Sequence, residues 1–147
     1  MSAVSEAREN FKVMAIDPGK HIGFAYMEGA ELKTAGVLLS EYSNLEMLFD
    51  AMLTFNVDEV VVEDFKLYPW KSMEQSWSQM ETPRIIGIIE YWGWKNGIPI
   101  ILQPASVKQA FPDERLKHEG YYVENKHARD AIRHALYYLK FGRREYA

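Results

Sequence analysis

The sequence predicts an α/β fold, one mixed β-sheet flanked by helices. Three observations predict it. Two short apolar runs rich in strand-forming residues, Val13–Ile16 and Val60–Val62, each end in an acid, Asp17 and Glu63. Between them Leu45, Leu48, Phe49, Met52 and Leu53 recur at helical spacing. That strand, helix, strand order is the pattern of a parallel crossover.

Taken in order, residues 1–10 read as a polar tail and residues 11–147 as one domain, a normal size for a single core. Phe11–Asp17 is the first predicted strand. Pro18 ends its pairing capacity and Gly19 allows a tight turn. Gly23–Met27 is the second strand, Glu28-Gly29-Ala30 a short hairpin connection and Glu31–Leu39 the third strand. Together they suggest an antiparallel meander.

Ser43-Asn44 offers an N-cap to the first helix, and Asn56 ends it. Val60–Val62 is apolar throughout, as in a strand buried on both faces. Residues 65–79 are irregular. Thr82-Pro83 reads as an N-cap followed by proline at the first helical position. Ile85, Ile88, Ile89 and Trp92 give that helix its apolar stripe, Gly87 marks an expected close crossing, and Asn96-Gly97 stops it. Ile98–Leu102 is a fifth strand and Pro104–Phe111 a short helix. Residues 112–125 are mixed, with Tyr121–Val123 extended. Lys126–Phe141 is a long helix closed by Gly142.

Composition removes several function classes. The chain has no cysteine, so disulfides, thiolate zinc sites and a cysteine nucleophile are excluded. A reducing, cytoplasmic compartment fits. No run of 18 apolar residues predicts a membrane span, and the polar opening residues hold no signal-peptide core. The net charge of -4 is unevenly spread: residues 1–103 sum to -7 and residues 104–147 to +3. A local basic surface in the C-terminal third is therefore expected, with an ordinary mixed surface as the alternative.

The chemistry concentrates in acids. If the fourth strand lies parallel beside the first, Asp17 and Glu63 end neighbouring strands about 4.8 Å apart and can reach one cation. Each acid alone is equally a turn or cap residue. In the long helix His127 and Asp130 are three residues apart and share a face, and His134 continues this polar strip. The strip runs along one edge of a stripe of Ala128, Ala131, Ile132, Ala135, Leu136 and Leu139, so a solvated edge is the alternative. Carboxylates with one imidazole and no sulfur suit Mg²⁺ or Mn²⁺ rather than zinc. Two such cations, about 3.5–4 Å apart, can activate water and stabilise a leaving oxygen in phosphodiester cleavage.

Four segments, IDPGKHIGFA, VVVEDF, QPASVKQAF and HARDAIRHAL, occur in an order and spacing that resembles the RuvC-type Holliday junction resolvases of the ribonuclease H superfamily, especially the small bacteriophage ones. The resemblance covers residues 11–141. It implies a ribonuclease H-like fold with a five-stranded mixed sheet of order 3-2-1-4-5. It implies that Asp17, Glu63, His127 and Asp130 are catalytic and hold two Mg²⁺ or Mn²⁺ ions. His127 stands where many members have aspartate, which leaves open whether it binds metal, acts as a base, or does both. Asp64 is a lower-ranked substitute for Glu63. The implied activity is that of a crossover junction endodeoxyribonuclease, acting as a homodimer on four-way DNA in a bacterial host's cytoplasm. Alternatives are a nuclease of the same fold for flaps, single strands or hybrids, a non-catalytic junction-binding protein, and an actin-like ATPase.

Lys108 resembles a DNA-contacting lysine of the family. Lys66, Lys71 and Lys126 are further DNA-binding candidates, and Lys117, Arg129, Arg133, Arg143 and Arg144 can extend a basic face. Phe65, Tyr68, Trp70 and Trp77 can stack on unpaired bases, but packing or a dimer contact suits them better. Met73 and Met80 read as gap-fillers, and His21 and His118 as surface residues.

Overall fold

The computed structural model describes residues 10–65 and 81–142. Lys66, Tyr68, Trp70, Lys71, Met73, Trp77, Met80, Arg143 and Arg144 lie outside the described residues.

β1 (Lys12–Asp17), β2 (His21–Glu28) and β3 (Glu31–Leu39) form the expected meander. Helix α1 (Tyr42–Phe55) leads to β4 (Glu59–Glu63), helix α2 (Glu81–Asn96) precedes β5 (Ile100–Gln103). A 3₁₀ turn (Ala105–Ala110), helix α3 (Asp113–Glu119) and helix α4 (Lys126–Lys140) follow. The sheet order is β3-β2-β1-β4-β5, as predicted. β1 pairs antiparallel with β2 and parallel with β4, and β4 pairs parallel with β5.

Side chains alternate across a strand, and here the alternation sorts two cores. Met14, Ile16, Ile22, Val60 and Val62 meet α1 and α2 on one face, where Leu45, Leu48, Met52, Ile85 and Ile89 are buried. Phe49 and Trp92 stack at 4.8 Å and tie α1 to α2. Val13, Ala15, Ala25 and Val61 meet α4 on the other face, against Ala131, Ile132 and Ala135. Small residues on both partners let this helix lie close to the sheet. Gly23 carries the closest approach: a Cβ there would come within 2.1 Å of the His127 carbonyl oxygen.

Several expected boundaries move. Helix α1 starts at Tyr42, and Asn44 does not cap it; its amide donates to the Leu39 carbonyl oxygen at 2.9 Å instead. Asn56 does end it, in the left-handed conformation at φ 56°. Helix α2 already includes Glu81, so Thr82 is inside the helix rather than its cap. Gly87 makes no close crossing, since a Cβ there would meet nothing within 4 Å; Gly93 does, against Ile100 and the Ile98 carbonyl oxygen. β5 begins only after Pro99, whose carbonyl accepts from Val60.

Tyr121–Val123 are not a strand. The segment before them holds α3, which the sequence reading missed although its signals are present. Pro112 precedes it, Asp113 and Glu114 sit in its first turn, and Gly120 closes it at φ 83°.

Candidate active site

Strand parity places the acids. Asp17 follows Val13 and Ala15, and Glu63 follows Val61, so both point to the α4 face at the carboxyl ends of paired parallel strands. Gln103, the register partner of Glu63 on β5, points the same way after Ile101. Helix α4 starts where Asn125 Oδ1 accepts from the Ala128 amide at 3.0 Å. Its first turns therefore bring His127 and Asp130 over the strand ends, across Gly23.

Asp17, Glu63, Lys108, Lys126, His127 and Asp130 line one cavity of about 290 Å³, together with residues 18–21. Four acids and bases expected from the sequence thus meet, with two of the expected lysines. Asp64 does not join them: it is exposed, and its Oδ1 accepts from the Phe65 amide. Phe65 packs against the core on the α1–α2 side.

Lys108 is the central cation. Its Nζ lies 2.8 Å from Glu63 Oε1 and 3.5 Å from Asp130 Oδ2. Burial works to lower its pKa, but the hydrogen bond and charge of Glu63, with Asp130 and Asp17, raise it above the ordinary value. Asp17 is only 8% exposed. Burial, and then the charge of Glu63, push its carboxyl up to about 8. Glu63 goes the other way: burial opposes its ionisation, but hydrogen bonds from His134 and Lys108 hold it well below the usual carboxylate range. The two neighbours thus shift in opposite directions, Asp17 up and Glu63 down.

Two buried side chains that the sequence reading placed at a surface hold the acids. Arg133 was expected on a basic face. It is buried instead, donating to Asp130 Oδ1 at 2.9 Å, to the Phe111 carbonyl at 2.7 Å and to Asp113. His134 was expected on a polar edge; it is fully buried, with Nε2 2.8 Å from Glu63 Oε1. A helical step of four from Asp130 was the available signal, but sequence alone does not say which side of the stripe is covered. Arg129 is likewise committed inward, donating to Tyr122 Oη and to the Val123 and Glu124 carbonyls. His21 has a partner after all: it stacks on His127 with ring centroids 5.3 Å apart.

Among the described residues, no three His, Asp or Glu side chains are already grouped to hold a metal ion. The ammonium of Lys108 bridges Glu63 and Asp130 in that space.

No protein-family model matches this sequence, and no curated protein does. Solved structures match in shape. RuvC of T. thermophilus, in complex with Holliday junction substrate, has a TM-score of 0.69 at 18% identity, covering 91% of this chain and 96% of that one. The fowlpox virus resolvase, with its substrate Holliday junction DNA, has 0.55 at 12%, covering 87% and 98%. The yeast mitochondrial Holliday junction resolvase has 0.52 at 13%, covering 93% and 82%. Strand order, the parallel β1–β4 pair and the helix laid across it together give this chain the ribonuclease H-like fold of RuvC.

Proposed function

We propose that this protein is a divalent-metal-dependent endonuclease that resolves branched DNA, four-way junctions foremost. The observation that carries the reading is the meeting of Asp17, Glu63 and Asp130 with Lys108 in one cavity at the carboxyl ends of β1 and β4. The resolvases of the same fold, two of them solved with Holliday junction DNA, support the choice of substrate.

The donor set suits Mg²⁺ or Mn²⁺. It is rich in carboxylate oxygen and free of sulfur, and burial with the charge of Glu63 raises the pKa of Asp17, a penalty that a bound cation would relieve. Asp17, Glu63 and Asp130 would hold the ions, with His127 as a fourth candidate. Two bound divalent cations supply activated water and charge stabilisation at the leaving oxygen. His127, at the cavity wall beside His21, is placed to help hold an ion or to accept the proton of the attacking water. Lys108 neutralises the acids in the metal-free protein and, once released, offers its charge to a phosphate. Lys126 and Lys20 line the same cavity and suit the flanking backbone. Two matched cuts on a two-fold symmetric junction call for a homodimer. The products would carry 5′-phosphate and 3′-hydroxyl ends.

One observation favours a second reading. The Lys108 bridge between Glu63 and Asp130 also suits a site neutralised for good, in a protein that binds junctions without cutting them. A synthetic four-way junction separates the two. The endonuclease cuts it with Mg²⁺ or Mn²⁺, and Asp17→Asn abolishes cutting while leaving binding in EDTA intact. Binding without cutting by the wild type selects the second reading; equal cutting by both proteins removes Asp17 from the site.

A further inference from the structure

The buried pair Gln103 and His134 plays no part in the chemistry just described. Nothing in an apolar core needs a histidine, and burying one is costly unless both ring nitrogens are matched. Here both are. Gln103 Nε2 lies 3.1 Å from His134 Nδ1 and also 3.1 Å from the His134 carbonyl oxygen. A carbonyl oxygen only accepts, so the amide nitrogen of Gln103 is the group facing His134, and its second hydrogen points to Nδ1. Nδ1 must then accept. The ring proton therefore sits on Nε2, which donates to Glu63 Oε1 at 2.8 Å.

We infer that Gln103 and His134 form a positioning relay that fixes the Glu63 carboxylate in one orientation through Oε1, turned toward the cavity where a cation would sit. The relay starts and ends on neighbouring strands, since Gln103 and Glu63 are register partners of β5 and β4. Helix α4 supplies the ring between them.

The choice of imidazole has a chemical meaning. A neutral imidazole orients a carboxylate without cancelling its charge, and a fixed N–H makes the carboxylate a better-placed ligand. Asp130 is treated differently: the guanidinium of Arg133 takes Oδ1 and cancels part of its charge. Both carboxylates also face the Lys108 ammonium, at 2.8 Å and 3.5 Å, so what the ring adds to Glu63 is a fixed orientation without a further positive charge. This inference rests on the proposed metal site for its purpose, but the geometry of the relay does not.

The test uses the metal-free, DNA-free protein first. Nitrogen NMR of ¹⁵N-histidine-labelled chain, with the His134 signal identified by its loss in His134→Phe, reads the tautomer directly. The expected result is a proton on Nε2, slow to exchange, and a mixed tautomer in Gln103→Leu. Calorimetry with Mn²⁺ and Mg²⁺ then compares variants whose circular dichroism matches the wild type. His134→Phe keeps the ring volume and removes the donor, and its affinity should fall about 10–100-fold. His134→Gln restores an amide donor and should recover part of that loss, which a purely structural role would not produce. A proton on Nδ1, or cation affinity unchanged in His134→Phe, overturns the relay. If the wild type binds no cation at all, the proposed nuclease function fails and the tautomer alone decides the relay.

Discussion

Gly23 and His127 are in backbone contact: the missing side chain of one makes room for the carbonyl of the other, which a Cβ would approach to 2.1 Å. The site depends on that contact, because the same turn of α4 carries His127 and Asp130 to the ends of β1 and β4.

Gly23→Ala should therefore do more than crowd a strand. The obstructing atoms are backbone, so the helix itself has to move. Overpacking of this kind costs about 1–3 kcal/mol. Thermal denaturation should show that loss, and cation affinity should fall with it, whereas Gly87→Ala, in the exposed interior of α2 with nothing within 4 Å, should leave cation affinity unchanged and raise stability by about 0.5–1 kcal/mol. Equal behaviour of the two variants would show that α4 is not held by this contact.

Asp17 should destabilise the metal-free fold. Unfolded, its carboxyl ionises near 3.8; folded, it keeps its proton up to about 8. The raised value means that the folded state resists ionisation, so the penalty is absent below pH 3.8, grows between 3.8 and 8, and is constant above. Asp17→Asn removes it. In EDTA at pH 8 the variant should be more stable than the wild type by ~0.5–2 kcal/mol, with the gap closing toward pH 4. Identical denaturation midpoints at pH 8 would contradict the raised pKa of Asp17.

Cation binding should release that proton. Below pH 8 a cation must displace it from Asp17, and above pH 8 it is already gone. Affinity for Mg²⁺ should rise with pH by up to about tenfold per unit and then level off. Calorimetry in buffers of different ionisation heat counts the protons; zero release at pH 6 would show that Asp17 is not a ligand.

Lys108 should compete with the cation for Glu63 and Asp130. Lys108→Met leaves three carboxyl groups without their ammonium, which should cost roughly 1–3 kcal/mol in EDTA. Mn²⁺ should then raise the melting temperature of the variant more than that of the wild type. Junction cutting should still drop, because the phosphate loses its partner. Equal Mn²⁺ stabilisation of both proteins would place the cation away from Lys108.

The fold was largely legible in the sequence because its signals are local and redundant. Val60–Val62 reads as a buried strand from composition alone, and β1 to β3 are punctuated by Pro18 and Gly29. Asp17, Glu63 and Asp130 were legible because each sits at a fixed place on its element: a strand end or a helix face. What escaped is what depends on packing depth. His134, Arg133 and Arg129 look like solvent-facing polar residues in a 3.6-residue pattern, yet each turns inward to a partner far away in sequence or across a loop. Gln103 escaped because its role exists only through the β4–β5 register. Helix α3 escaped because seven residues are too few for periodicity to show.

The acids of the candidate site enter the chain far apart, at positions 17, 63 and 130, and α4 is what completes the set. A growing polypeptide that has already paired β1 with β4 still lacks Asp130, and it also lacks the ring that orients Glu63. Contacts this distant in sequence form late, after the entropy of closing a long loop has been overcome. Under the proposed nuclease function, cutting power would arrive only with the finished tertiary structure, and incomplete or misfolded copies of the protein would be harmless to the DNA around them.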